Sequence, residues 1–377
     1  MDIEDLSDAS VVEQDGFAPL TPEAFAEWRD ERDLGAAMLV GYAPQLAADL
    51  ERFDVVAVEK WFSVPVRDPQ KKRREKWDRG GVVDLALREK GTQRVWIMDH
   101  KTTDRSRLKD LFAVSNLEEQ SSGYMSAYRT LSGIAPVGFI INALVKDFPR
   151  PPKMLKNGKG LSRDKDQTTT PELYRAAMTQ YGLAEDYYAE FLAYLEANRK
   201  PFYARQLVTR TTAMLDDFET AFAANARERG RGFVYRNVSA MRCPWCPYKT
   251  LCDAAMSGVE DFGAIIAAGY DVRQSKVPRE LEGKIAGKRE TLSFSLMQDW
   301  KQCRQIDAYK RQGLFPKTQG RHLNFGTGIH SALASAYAGG DSLRVWEEFV
   351  AVDFKKTFGM TTFEAETRFA PEKSEGE

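Results

Sequence analysis

Asp84, Asp99 and Lys101 fall close together in the chain, each in or beside an apolar run. Val82-Val83-Asp84-Leu85-Ala86-Leu87 and Val95-Trp96-Ile97-Met98-Asp99 read as strands, because β-branched and aromatic residues dominate, and Glu89-Lys90-Gly91-Thr92 supplies a turn between them. Paired as a hairpin, the two strands would bring both carboxylates to one end of a sheet. Oxygen donors of this kind suit a hard cation, Mg²⁺ or Mn²⁺, that keeps water in its remaining positions. Lys101 follows Asp99 by two residues, so on a strand its ammonium shares the carboxylate's face. Hydrolysis of a phosphodiester needs hydroxide at neutral pH and relief of charge on the phosphorane, and a cation between carboxylates does both. Lys101 could orient the water or neutralise the phosphate. The same residue types also serve as turn caps and solvated strand ends, so the triplet alone does not decide.

Four cysteines are present, and three of them, Cys243, Cys246 and Cys252, form a C-x2-C-x5-C cluster. In a chain of 377 residues that compactness argues for a shared metal centre rather than a secreted disulfide framework. A structural zinc site usually shows two close pairs instead. The histidines are His100, His322 and His330. A lone histidine on a helix, as His330 would be, is more often a packed side chain than a ligand. Gln120 and Tyr124 are four apart and share one face of a helix.

At these residues the chain resembles the PD-(D/E)XK nucleases, specifically their RecB-like iron-sulfur branch, which includes CRISPR-associated adaptation exonucleases and phage relatives. Asp84 matches the first acidic residue in a Gly-x-x-Asp context, and Asp99-His100-Lys101 matches the Asp-x-Lys element. The resemblance implies that Asp84, Asp99 and Lys101 are catalytic, with Asp84 and Asp99 as metal ligands and His100 adding its backbone carbonyl. Gln120-Ser121-Ser122-Gly123-Tyr124 resembles the Gln-x-x-x-Tyr motif, which implies DNA-backbone or base-stacking contacts for Gln120 and Tyr124. Gly326-Thr327-Gly328-Ile329-His330 resembles a Gly-Thr-x-x-His helix, which makes His330 a metal ligand. Glu59 resembles a glutamate on the strand before the catalytic hairpin and counts as support only, since acids on edge strands are commonly solubilising.

The cysteine spacing resembles the family's C-terminal cluster, in which a distant fourth cysteine completes a [4Fe-4S] centre. Cys303 is the remaining candidate, and Ser293-Phe294-Ser295 before it resembles the segment that carries it. In the relatives the Cys303 and His330 elements precede the Asp and Lys motifs; here they follow them. Circular permutation is the simplest account, since chain ends often lie close together at a surface. Completion of a second subunit's site in trans and a rearranged gene are the other accounts.

These side chains need elements to carry them. Thr21 caps and Pro22 opens a helix, and helical stretches run to about residue 52. Strands follow to Met98, then a motif helix over residues 117–131 and a buried strand over 137–145. Residues 171–229 read as helical. With the His330 helix supplied from the far end, the order is αβββαβ, an α/β restriction-endonuclease-like core with helical additions and a cysteine region. Residues 1–262 are read as the nuclease core, 263–291 as a polar Gly- and Pro-punctuated linker, and 292–377 as the permuted segment.

Net charge is −1 and pI near 6.4, so no global field advertises nucleic acid. Lys71-Lys72-Arg73-Arg74 and the loop carrying Arg150, Lys153, Lys156, Lys159, Arg163 and Lys165 are local basic patches that phosphate contacts could use. An acidic start with no apolar core after it, and no apolar run of membrane length, predict a cytoplasmic protein. No Walker phosphate loop occurs, so a helicase or recombination partner would be a separate chain. The expected function is a metal-dependent exonuclease on single-stranded DNA ends in recombination, repair or phage replication. The alternatives are a non-catalytic DNA-binding scaffold with the same fold and a zinc-stabilised protein of another function.

Overall fold

The computed structural model describes residues 17–156, 158–258, 261–272, 290–317 and 321–369, the last without the side chains of 321–323, so the side chain of His322 lies outside it. A helix over Pro22–Arg52 leads into three strands, β1 (Phe53–Asp68), β2 (Arg73–Glu89) and β3 (Val95–Thr103). The motif helix, Glu119–Ser132, then crosses to β4 (Gly138–Val145), and β5 (Tyr203–Val208) closes the sheet in the order β1-β2-β3-β4-β5. β3 and β4 are parallel, as a strand-helix-strand crossover requires, and the other neighbours in that order are antiparallel. The first helix starts where its residues dictate: Thr21 Oγ1 accepts the Ala24 N–H at 3.2 Å, and Pro22 sits where no N–H is needed.

Alternation along β3 splits its side chains between two cores. Trp96 and Met98 pack under the first helix and the C-terminal helices Arg321–Tyr337 and Ser342–Phe358, with Tyr42, Ile329, Leu333 and Trp346. Val95 and Ile97 face the motif helix and the helix Thr212–Gly230, with Met125, Phe139 and Leu215. Met98 and Ile97 are wholly buried, each stabilising the fold by about 1.5–3 kcal/mol through apolar burial. The same alternation continues to the functional residues, sending Asp99 and Lys101 to the motif-helix face and the His100 ring to the other.

Three expectations change. The αβββαβ order is complete within Pro22–Val145, with the chain's own first helix, so the far end adds the His330 helix beside it rather than supplying that first helix. The region expected to be all helical contains β5, which pairs with β4. The linker expected from residue 263 begins with a helix, Phe262–Gly269, and β6 (Tyr270–Val272). Its apolar residues explain this, because Phe262, Ile265, Ile266 and Tyr270 pack on Tyr248, Leu251 and Tyr309. The rest of that linker, residues 273–289, lies outside the described residues. β7 (Thr291–Ser293) pairs parallel to β2 at Asp78–Gly80, joining the C-terminal segment to the main sheet, and β8 (Leu314–Pro316) pairs with β6 in a separate two-stranded sheet. No helix among the described residues is long and apolar enough to cross a membrane.

Candidate active site

The site forms where the sheet divides. β2 and β3 are paired through Leu85↔Met98, the last pair at this end, while β3 runs on beside β4 to Thr103↔Val145. Asp84 and Asp99 stand one step beyond that last pair. Asp84 Oδ2 accepts the His100 N–H at 2.9 Å, so a side chain takes the place of a ladder partner. On β1, between the pairs Val58↔Leu85 and Lys60↔Val83, Glu59 has φ 44°, a left-handed conformation that a glutamate rarely adopts. Such strain persists where the surroundings over-determine it.

The far end of the chain completes the cluster. His330, on the helix Arg321–Tyr337, places Nδ1 3.3 Å from Asp84 Oδ2, and its ring bonds the His100 main chain. One ligand atom each from Glu59, Asp84 and His330 lies within 4.8 Å of the other two. Asp99 is 2% exposed and its Oδ2 is 2.7 Å from Lys101 Nζ. Gln120 ties the pair together, donating Nε2 to Asp99 Oδ1 at 3.2 Å and accepting Lys101 Nζ at 3.3 Å.

The electrostatics of these groups follow from their crowding. Burial and the neighbouring Asp99 push the Asp84 carboxyl up to about 8, with Glu59 adding to the effect. Burial and Asp99 also raise Glu59. Several carboxylates in one dry pocket cannot all hold charge without a countercharge. Burial pulls the His330 imidazole below its ordinary range, which favours the neutral form that a metal ligand needs. For Lys101 burial acts downward, but the Asp99 carboxylate outweighs it and the amine stays a protonated cation.

The donor set fits the cation expected of it: two carboxylates and an imidazole converge, with the His100 main chain at their edge. The expected ligand set is altered in one member, because Glu59 joins Asp84 and His330 in the close triad while Asp99 is held by Lys101 and Gln120. The His100 ring is not in the site. It is buried with Nδ1 2.9 Å from Asn142 Nδ2 and stacks on Tyr337 at 5.7 Å. Asn142 Nδ2 also donates to Tyr42 Oη at 2.9 Å, and Arg205 holds Asp49 with two bonds at 2.7 and 2.6 Å. Tyr337, two turns along the helix from His330, donates to Asp49 at 2.5 Å. This network joins the first helix, β3, β4, β5 and the His330 helix behind the site. Its sequence signal was Asn142, an amide inside a strand that is buried throughout.

Tyr124 packs its ring against Phe62 at 5.7 Å and Phe139 at 6.2 Å, and its hydroxyl bonds Gln120. Burial pushes its phenol up to about 12. It therefore buttresses Gln120 rather than offering an open ring to a base. A cavity of about 640 Å³ opens beside the triad, lined by Glu59, His330, Thr102, Arg107 and Lys146. The cations that reach this cavity are Arg107 and Lys146, which lie outside both basic patches singled out in the sequence. Within those patches Arg73 and Arg74 lean on Glu75 and Asp78, and Lys165 lies over the Tyr194 ring.

Cys243, Cys246, Cys252 and Cys303 line a second cavity of about 180 Å³. Cys303 follows the helix Phe294–Gln302, whose first turn is capped by Ser293 Oγ accepting the Leu296 N–H at 3.1 Å. Two main-chain N–H groups point at the sulfurs, Asn237 to Cys303 at 3.4 Å and Ser239 to Cys243 at 3.3 Å. Burial first, then the charge of the other three cysteines, raises the Cys246 thiol. Tyr248 stacks between Tyr270 and Tyr309 as the floor of this region.

Comparison with curated proteins and with solved structures gave no match. A family model described as the PD-(D/E)XK nuclease superfamily matches residues 3–253, a span that includes Glu59, Asp84, Asp99, Lys101, Gln120 and three cysteines but stops short of Cys303 and His330. That span exceeds half of the chain, and the protein belongs to the PD-(D/E)XK nuclease superfamily.

Proposed function

We propose that this chain is a metal-dependent DNA exonuclease of the RecB-like iron-sulfur branch, acting on single-stranded ends in recombination, repair or phage replication. The observation that carries the reading is the Asp99–Lys101–Gln120 clamp set beside the Glu59–Asp84–His330 triad. Bound there, Mg²⁺ or Mn²⁺ would supply a water of lowered pKa and positive charge against the phosphate. Glu59, Asp84 and His330 would hold it, with the His100 carbonyl at its edge. Lys101, fixed as an ammonium, neutralises the scissile phosphate or orients the attacking water, and Asp99 aims it. Arg107 and Lys146 on the cavity wall hold the flanking phosphates. The single-strand and end preferences rest on the family resemblance.

The four cysteines would carry a [4Fe-4S] cluster. A single zinc ion would draw four sulfurs to about 2.3 Å from one point; the reading of an iron-sulfur cluster rests on the cysteine spacing and the family resemblance, with all four cysteines lining one cavity. Circular permutation would account for the place of the Cys303 and His330 elements, which the family sets ahead of the Asp and Lys motifs, while the helix Pro22–Arg52 opens the core.

Degradation of end-labelled single-stranded DNA with Mn²⁺ tests the enzyme reading against Asp99→Ala and Lys101→Ala. Loss of cleavage in both variants supports it, and three proteins that behave alike would remove it. Anaerobically purified protein should be brown with broad visible absorbance; colourless protein with stoichiometric zinc would overturn the cluster.

A further inference from the structure

We propose that residues 231–245 form a second contact surface for the substrate strand, on which Phe233 and Trp245 stack with unpaired bases while Arg231 and Arg242 meet its phosphates. The proposal takes its substrate from the nuclease reading above, and its own observations are separate. From Gly230 to Cys252 the chain carries four cations, Arg231, Arg236, Arg242 and Lys249, and no Asp or Glu. In a protein of net charge −1 that is a local basic strip. Its large apolar side chains are turned outward: Trp245 is 87% exposed, Met241 86%, Val238 79% and Phe233 70%. Aromatic rings interleaved with cations and free of acids are the pattern that grips single strands, because every base offers a flat apolar face beside a charged phosphate. Lys249 is engaged by Asp253, and Arg304, 4.6 Å over the Tyr235 ring, is engaged by Glu228, so neither is counted for phosphate contact.

The strip is anchored although residues 232–239 form neither helix nor strand. Asn237 donates its main-chain N–H to Cys303 Sγ at 3.4 Å and its side-chain amide to Gln302 O at 2.9 Å. A pinned backbone with outward rings is pre-organised for binding. It also adjoins the catalytic cluster through bonded steps. Lys301, next to Gln302, bonds Glu119 Oε1 at 2.6 Å, and Gln120 in turn holds Lys101 at 3.3 Å. These bonds link the strip to the start of the motif helix, so a strand with its scissile phosphate at Lys101 would reach this surface by passing that helix start.

The test is fluorescence anisotropy of a labelled oligothymidylate with the full chain in EDTA, where no strand is cut. Phe233→Ala and Trp245→Ala should each weaken binding about 10- to 100-fold. Arg231→Gln with Arg242→Gln should flatten the plot of log affinity against log salt by about 1.4, two phosphates at about 0.7 each. Trp245 stands between two cysteines, so Phe233→Ala, twelve residues before it, keeps the test decisive if the Trp245 variant misfolds. If Phe233→Ala melts like the parent and binds as tightly, or if the parent does not bind, the proposal falls. If the variants keep the strand but lose self-association in light scattering, the surface belongs to a protein contact and the proposal falls likewise. If the variants lose the strand while the parent cuts nothing with Mn²⁺, the surface stands and the nuclease reading fails.

Discussion

Gln120 sets the geometry of two charged side chains at once, since its amide donates to Asp99 and its carbonyl accepts Lys101. Gln120→Leu keeps the volume and removes both bonds, each worth about 1.5–3 kcal/mol where a charged group is involved. Cleavage should slow by about 10- to 100-fold, while Mn²⁺ affinity stays unchanged because Glu59, Asp84 and His330 are untouched; calorimetric titration beside single-turnover rates separates the two. The carboxylates carry a pH signature as well. Asp84 is raised to about 8, so the folded chain holds that proton more tightly than the unfolded chain does. The contribution of Asp84 to metal-free stability is therefore greatest in acid and falls as pH rises from about 4 towards about 8. Cation binding runs the other way, strengthening about tenfold per pH unit while the proton must be displaced. Thermal melts of metal-free protein that do not fall between about pH 6 and 8, or Mn²⁺ titrations flat over that range, would contradict this linkage. The grouping of Asp84, Asp99, Lys101 and Gln120 was legible through the family resemblance, since their residue types and spacing alone did not decide. Glu59 was legible only as support, since nothing in its apolar run announces the left-handed turn that aims it at Asp84.

At the scale of elements, the His330 helix shows how one substitution can mean opposite things. A Cβ on Gly328 would lie 2.6 Å from Phe349 and 2.7 Å from the buried Trp346, whereas one on Gly326 would meet only Thr102 Oγ1, at 3.2 Å. Gly328→Ala therefore overpacks the joint between this helix and Ser342–Phe358, at a cost of about 1–3 kcal/mol, and displaces His330. Gly326→Ala gains helix propensity, about 1 kcal/mol, yet adds a methyl to the cavity wall. Denaturant melts should show Gly328→Ala destabilised with weakened Mn²⁺ binding, and Gly326→Ala at least as stable as the parent with slower cleavage. Equal melts for the two would remove the argument from close packing. The catalytic hairpin, the motif helix and β4 were legible because period and turn residues agree there. β5 was not: Tyr203–Val208 is short, only Val208 is fully buried, and Arg205 in its middle turns to Asn142 and Asp49. A strand that carries a buried ion pair leaves little alternation to read.

Across the whole molecule, the question is how residues from opposite ends of the chain come to share a site. Asp84 and His330 meet at 3.3 Å within a single chain, and the same chain closes around them through β7 on β2 and the Tyr337–Asp49 bond to the first helix. Spacing could raise both cis and trans completion but could not choose, because contact between distant segments depends on packing that motifs do not encode. Within the one chain described, the packing is in cis, and the expectation that follows is cis completion. Asp99→Ala and His330→Ala proteins, each inactive alone, should therefore stay inactive when unfolded together and refolded as a mixture. If the C-terminal segment were exchanged between subunits instead, random pairing would rebuild about a quarter of the sites, each taking Asp99 from one chain and His330 from the other. Activity on labelled single strands, with co-refolded parent chains as the positive control, distinguishes a quarter from none. A recovery near a quarter would show that the segment crosses to a neighbour, and that the bond from Tyr337 to Asp49 forms between chains rather than within one.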